Sequence, residues 1–325
     1  MEFFNPKSNL DFMRYRRVTF VVALLLVAGS IASLATRGLN LALDFTGGTL
    51  VEVIYAEPVE QPDVVRALEA DGIEGAIVQR YSSTNLSIRL SPDAVEEAAA
   101  GVDLGESSLD ARNAAVGQKV LSALQADGRE VRITRSEYVG PQVGKELVQN
   151  GIVAVFVVLA GIMIYIAMRF EWKFAVATVA TELHDVIVVL GFFSVTGMDF
   201  DLTVLAAILA VDGYSVNDTI VVFDRVRELF RSARKASPVE VMNRAVNTTL
   251  SRTIMTSVTT LLTVVSLYLV GGPSLQGFSL ALIVGIIVGT LSSIFFACPV
   301  LLRLQVSKQD LMPKVRDDAE LARRP

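Results

Sequence analysis

Six runs of apolar residues, near 18–36, 148–168, 173–196, 202–223, 253–271 and 277–302, each hold roughly the 20 residues that a helix needs to cross a hydrocarbon core. Between the first and second runs the pattern changes. Residues 37–147, about 110 in number and typical of one domain, show the period-2 alternation of half-buried strands at 49–55, 77–82, 85–90 and 130–137. Helical spacing falls at 61–71 and, more diffusely, over 92–126, with a loop expected at 101–108. The resulting order β-α-β-β-α-β is the split βαβ arrangement of a ferredoxin-like α+β domain. The expected chain is therefore an N-terminal segment 1–17, a first span 18–36, a domain 37–147 outside the membrane, five further spans within 148–302, a charged loop 224–252 and a tail 303–325.

Composition supports this reading: 52% hydrophobic and 19% charged residues are too apolar for an ordinary soluble domain, which makes this a multi-pass membrane protein. A net charge of −5 does not suggest nucleic acid, whose binders carry basic surfaces. The lone Cys298 excludes an intrachain disulfide or a cysteine metal cage, and the lone His184 cannot make a metal site by itself. No metal or organic cofactor is expected. Acidic residues outnumber basic ones in 37–147, which reads as a solvated face rather than a ligand site. The first span can be read either as a retained helix or as a secretory signal ending near Ser33-Leu34-Ala35, but its apolar stretch is longer than a signal core.

Orientation follows from Lys and Arg at the span ends, which stay cytoplasmic. Lys7, Arg14, Arg16 and Arg17 precede the first span; Arg169 and Lys173 separate the second and third. Arg225, Arg227, Arg231, Arg234, Lys235 and Arg244 follow the fourth, and Arg303, Lys308, Lys314 and Arg316 follow the sixth. The turns at 197–201 and 271–274 have none. Both termini are expected in the cytoplasm and domain 37–147 on the opposite side of the membrane. Within 226–250, Val239, Met242, Val246 and Leu250 are spaced for one face of a helix on the membrane surface; a solvated loop fits the same residues.

Ionisable residues inside apolar spans are costly and mark function by default. Asp218 in the fourth span has Tyr214 and Ser215 one turn away and Asn217 beside it. Gly213 and Asn217 form an i, i+4 pair that admits a second backbone. In the fifth span Thr249, Arg252, Thr256, Thr259 and Thr263 make one stripe, whose hydroxyls either bond their own helix or line a wet path. Arg252 is placed to pair with Asp218 at similar depth, keeping it ionised until the pair weakens. The third span carries Glu182, His184 and Asp185. Glu182 and Asp185 are i, i+3 neighbours, so one of them is expected to hold a proton near neutrality, whereas His184 turns away in a packed role.

Several short stretches, in order and spacing, resemble the SecF branch of the SecD/SecF protein-export family, within the resistance-nodulation-division (RND) superfamily. They are Leu43-Asp-Phe-Thr-Gly-Gly48, Val139-Gly-Pro-Gln-Val-Gly-Lys145, Arg169-Phe-Glu-Trp-Lys173, Leu183-His-Asp185, Gly213-Tyr-Ser-Val-Asn-Asp218 running on to Phe223-Asp-Arg225, Ser251-Arg-Thr253 and Gly271-Gly-Pro273. The resemblance implies a six-helix bundle that is half of a pseudo-two-fold twelve-helix assembly, the other half coming from a SecD-like chain. It implies use of the proton motive force to help preproteins finish crossing the membrane after the ATP-driven step, with protons as the coupling ion and no enzymatic activity. Asp218 and Arg252 match the family's proton-path positions; Asp185, Glu182, Asp212, His184, Asn217 and Thr256 are the further candidates. Asp44, Gly47, Gly48 and Gly213 match its motifs. The SecYEG channel, a YajC-like accessory, preproteins and membrane lipid are the other implied partners. Two positions depart from the family pattern: Glu182 stands where a small or apolar residue is expected, and Asp212 where Val or Ile is. Gly285, Gly289 and Ser293 form a small-residue seam for a neighbouring helix, either in another chain or in this one. A proton-coupled RND half-transporter for lipids or small molecules is the alternative. An intramembrane aspartyl protease lacks its Gly-x-Gly-Asp context.

Overall fold

In the computed structural model, residues 10–99, 109–126, 128–232 and 236–311 are described; Lys7, the expected loop 101–108, Arg234, Lys235 and the tail from 312 lie outside them. A 3-10 turn (Phe12–Tyr15) and α1 (Arg16–Arg37) lead to β1 (Asn40–Leu41), α2 (Leu43–Thr46) and β2 (Gly48–Tyr55). Next come α3 (Gln61–Ala70), β3 (Ile77–Arg80), β4 (Asn85–Leu90), α4 (Pro92–Ala99), α5 (Leu109–Gln125) and β5 (Val131–Val139). The chain continues through α6 (Pro141–Arg169), α7 (Trp172–Thr196), β6 (Asp199–Phe200), α8 (Leu202–Ser232) and α9 (Pro238–Val270). It ends in α10 (Pro273–Phe295), α11 (Ala297–Arg303) and the short α12 (Lys308–Leu311). Six of these segments are long and apolar enough to span a membrane.

The chain divides into two units, one of residues 40–154 with 199–202, the other of the remainder. In the first, four antiparallel strands lie in the order β3-β4-β2-β5, the ferredoxin-like order that the sequence pattern predicts. Val51, Val53 and Tyr55 alternate along β2 and bury against Val64 and Leu68 of α3 and Val116, Val120 and Leu124 of α5. A bulge between Glu52 and Val53 shifts the β2–β5 register, and Thr134 in the extra position donates its hydroxyl to the Glu52 carbonyl at 3.0 Å. On the other sheet face Ser87 and Arg89 of β4 are buried as well. Next to Arg89 lies a second, two-residue parallel pairing, β1 with β6.

In the helical unit, α1 packs on α7 through small residues. A Cβ on Gly191 would fall 2.1 Å from the Ser30 hydroxyl, and Ser33 and Ser194 share a 2.8 Å hydrogen bond, the close approach that drives helix association in lipid. Aromatic and aliphatic side chains from α7, α8, α9 and α11, among them Phe174, Phe223, Met242 and Leu301, form one buried cluster.

That cluster corrects the expected loop at 224–252. Val226, Leu229 and Phe230 continue the buried stripe of α8, and Val241, Met242, Ala245, Val246 and Leu250 that of α9. Both helices therefore extend well past their apolar runs, and among the described residues of 224–252 no separate helix lies between them. Ser237 and Glu240 form a reciprocal capping box that starts α9. The sixth span also differs: it breaks between Phe295 and Ala297, where Pro299 supplies no N–H to continue the ladder.

Candidate functional site

Two polar constellations stand out. The first is inside the helical unit, where Glu182, Asp185, Asp212 and Asp218 are all buried, with exposures of 0%, 0%, 1% and 2%. Helical spacing places them there: Thr178, Thr181, Glu182 and Asp185 share the buried side of α7, and Val211, Asp212, Ser215, Asp218 and Thr219 that of α8.

Asp185 is the organised member. Its Oδ2 accepts hydrogen bonds from Ser215 of α8 at 2.7 Å and Ser292 of α10 at 2.8 Å. Its Oδ1 lies 2.8 Å from Nδ1 of the adjacent His184, whose ring stacks on Phe296 at 4.8 Å. His184 thus joins the acidic group rather than turning away from it, and its Nε2 is buried without a partner. The helices approach closely here because α10 has no side chains in the way. A Cβ on Gly285 would fall 2.6 Å from Val211, and one on Gly289 would fall 2.9 Å from Ser215. At Gly285 and Gly289 the seam is therefore occupied by α8 of this same chain.

Glu182 and Asp212 contrast with Asp185: both oxygens of each are buried with no hydrogen-bond partner. Glu182 interacts electrostatically with Asp185 and Asp212, so three carboxyl groups share one low-dielectric region. Asp218 also has a buried, unpartnered oxygen, Oδ2. The expected Asp218–Arg252 pair is not closed: no ion pair joins them, and Arg252 is exposed on α9. The cation acts on Asp218 only through space.

The threonine stripe bonds its own helix. Thr249, Thr256, Thr259 and Thr263 donate to the carbonyls of Ala245, Arg252, Met255 and Thr259 at 3.0, 3.1, 2.9 and 3.2 Å. The cross-helix polar link runs instead through Tyr214, Ser257 and Thr290, with Tyr214 Oη 3.3 Å from Ser257 Oγ and the latter 2.7 Å from Thr290 Oγ1. Neither Ser257, Thr290 nor Ser292 is singled out by the sequence pattern, since isolated hydroxyls in an apolar run carry no periodic signal. Gly213 and Asn217 face outward on α8, in line with Ala206 and Ala210, and nothing lies within 4 Å of a Cβ built on Gly213.

The second constellation belongs to the domain unit and surrounds Asp44, Gly47 and Gly48. Asp44 Oδ2 accepts the backbone N–H of Leu202 at 3.0 Å. Leu202 is the first residue of α8, so its N–H has no partner within the helix, and a carboxylate there also complements the helix dipole. Gly47 and Gly48 have φ of +71° and +115°. Cβ atoms on them would fall 2.9 Å from Pro141 Cα and 2.1 Å from the Leu90 carbonyl oxygen, which only glycine permits. Gly144 of α6 approaches equally closely: its Cβ would lie 2.9 Å from the Phe45 carbonyl oxygen.

Alongside, buried Arg89 donates to the Leu41 carbonyl at 2.6 Å, to Asn40 Oδ1 at 3.0 Å and to Asp199 Oδ1 at 3.4 Å. Asn40 and Gln79 donate to the same Asp199 oxygen at 2.9 and 3.0 Å. Burial pushes the Asp199 carboxyl above its usual range, against the opposing charge of Arg89.

The sequence and the fold have counterparts in known proteins. Residues 119–307 match the family model for the C-terminal region of the protein export membrane proteins SecD/SecF, and residues 32–59 match that of the SecD/SecF GG motif. Protein translocase subunit SecF of Vibrio alginolyticus is 42% identical over 309 residues, covering 94% of this chain and 93% of the relative. The chain belongs to the SecD/SecF family.

A second SecF, from Pseudomonas aeruginosa, is 44% identical over 314 residues, 96% of both chains. Among solved structures, SecDF of Thermus thermophilus, a translocon-associated membrane protein, superposes with a TM-score of 0.81 at 35% identity. The match covers 93% of this chain and 39% of that longer one. SecDF in a super-membrane-facing form gives 0.66 at 36% identity, over 92% of this chain and again 39% of the other. The SecD/SecF GG-motif match contains Asp44, Gly47 and Gly48, so the motif coincides with the close-packed junction just described. The C-terminal match contains Glu182, His184, Asp185, Asp212, Asp218 and Arg252.

Proposed function

We propose that this SecD/SecF family member acts as the SecF half of a translocase accessory: with a SecD-like six-helix partner it uses the proton gradient to help preproteins finish crossing the bacterial inner membrane after the ATP-driven step. The observation that carries this reading is Asp218, buried on α8 with an unpartnered oxygen and with Arg252 near but unbonded. A buried carboxylate without partners is costly, and a proton is the smallest ligand that relieves the cost. Proton gain and loss at Asp218 alters its attraction to Arg252 and so biases α8 against α9, giving two states with different proton affinity. Glu182, Asp212, Asp185 and His184 extend the same route on the neighbouring side of α8, while Asn217 and Thr256 border Asp218 and Arg252.

The Lys and Arg distribution supports cytoplasmic termini, with the domain of residues 37–147 on the opposite, periplasmic face. The outward stripe Ala206, Ala210, Gly213, Asn217 on α8 is a surface of small side chains that suits close packing of a SecD-like helix. Such a complex would work beside the SecYEG channel with a YajC-like accessory. The coupling ion is the proton, with no other cofactor.

Asp218→Asn removes the titrating group while nearly keeping its shape. In vesicles carrying the complete translocase, preprotein import by the variant with a proton gradient should fall to the rate that the unaltered complex shows once an ionophore has collapsed the gradient. Gradient-stimulated import at the unaltered rate would refute the mechanism.

A further inference from the structure

At the end of the bundle that carries most of its cationic residues, α1, α9 and α11 surround a pocket of about 570 Å³. Its lining includes Arg16, Arg17 and Arg303 together with the apolar Phe20, Leu302 and Val306. Among the described residues no carboxylate forms an ion pair with any of these three arginines; Arg16 gives one donor to the Met13 carbonyl at 2.9 Å, and the Arg303 guanidinium lies 4.0 Å over the Phe20 ring. Arg16 and Arg17 also stand at the N-terminus of α1, where the helix dipole favours anions and makes clustered cations unfavourable unless a counter-charge is present. Three arginines lining one pocket, without an acidic partner among the described residues and beside apolar side chains, are chemically complementary to a phosphate joined to a hydrocarbon.

We infer that this pocket binds an anionic phospholipid, with the headgroup phosphate among Arg16, Arg17 and Arg303 and an acyl chain running down the outer face of α1. That face is suitably apolar: Val18, Val21 and Leu25 are all exposed and continue from the pocket mouth beside Phe20. Basic pockets between helices at the edge of the hydrocarbon region recognise lipid headgroups in this way, and each Lys or Arg near the surface adds to the attraction. Arg303 on Phe20 is pre-positioned by the ring, so little side-chain freedom is lost when the phosphate arrives. The inference stands apart from proton coupling, because it concerns only the cationic end of the bundle.

The test is native mass spectrometry of the full chain in detergent, titrated with phosphatidylglycerol and, separately, with phosphatidylcholine of the same acyl chains. Phosphatidylglycerol should bind with clear preference. Its affinity should drop about 5-fold on Arg17→Gln and roughly 30-fold on Arg17→Gln with Arg303→Gln, as expected from the attraction of one surface charge each, while phosphatidylcholine binding stays level. Equal binding of the two lipids by the unaltered chain overturns the inference, and that comparison decides even if the double variant fails to fold. Unchanged phosphatidylglycerol affinity in a folded double variant overturns it too. Free glycerol phosphate binding as tightly as the lipid would show that the acyl chain contributes nothing and would likewise refute a lipid site.

Discussion

At the scale of single residues, the chain is most constrained where backbone and charge leave no alternative. Gly48→Ala places a methyl group 2.1 Å from the Leu90 carbonyl oxygen at a φ of +115°, so β2 must pull away from β4 or the strand start must refold. A loss of at least about 2 kcal/mol in the stability of the domain is expected, seen as a lower midpoint for the unfolding of its sheet by circular dichroism. Asp310 gives a pH-dependent case. Hydrogen bonds from Lys173 Nζ at 2.8 Å and from Ser307 hold its carboxyl below the usual range. With a folded value depressed below the unfolded one, the contribution is present above about pH 4 and is lost as pH falls through the lower folded value. Both groups are partly exposed, so it amounts to at most about 1 kcal/mol. NMR titration of the Asp310 carboxyl should show a depressed value that returns toward the free-carboxylate range in Lys173→Met. Glycine and aspartate can be singled out from sequence because each is unusual in its setting. The partners of those residues cannot, since Leu90 and Leu202 are distant in the chain and carry no mark of their role, and Pro141, though part of a recognisable stretch, does not reveal that it meets Gly47.

Among elements, α8 matters most, because it bears Asp212 and Asp218 and because Asp44 holds its first N–H. Asp44→Ala should remove about 1 kcal/mol of capping and raise hydrogen exchange at Leu202 and the following amides, and Asp44→Asn, which keeps an acceptor oxygen, should restore most of the protection. Equal exchange in the alanine variant would show that the cap does not hold α8. The apolar runs locate this helix and its neighbours well, and the alternation in 37–147 predicts the strands of the ferredoxin-like sheet. Where the reading departs from the structure, burial is the reason. The stretch 224–252 looks like a loop because it is rich in charge, yet Phe230, Val241, Met242 and Val246 are buried, and two charged helix ends packed on one another read locally as an amphipathic surface segment. The Ser237–Glu240 capping box is a local signal that does mark the start of α9.

For the whole molecule, the decisive feature is which helix surfaces are already filled. The Gly285-Gly289 seam is closed by α8 of this chain, whereas the outward line Ala206, Ala210, Gly213, Asn217 is an exposed stretch of mostly small residues open to a second helix. Gly213→Leu should weaken capture of a SecD-like partner roughly tenfold, the size of an interface hot spot, without changing the melting temperature of the isolated chain; co-purification at stepwise dilution measures it. By itself the sequence determined the six spans, the split βαβ order and the presence of Glu182, Asp185, Asp212 and Asp218 inside apolar spans, because helical and strand periodicity and the rarity of acids in apolar runs are local properties. Only the tertiary structure decided which acids are satisfied. Asp185 meets Ser215 and Ser292 across three helices, Glu182 and Asp212 meet no partner, and Arg252 stops short of bonding Asp218, since hydrogen bonding depends on distances between helices that no single segment encodes.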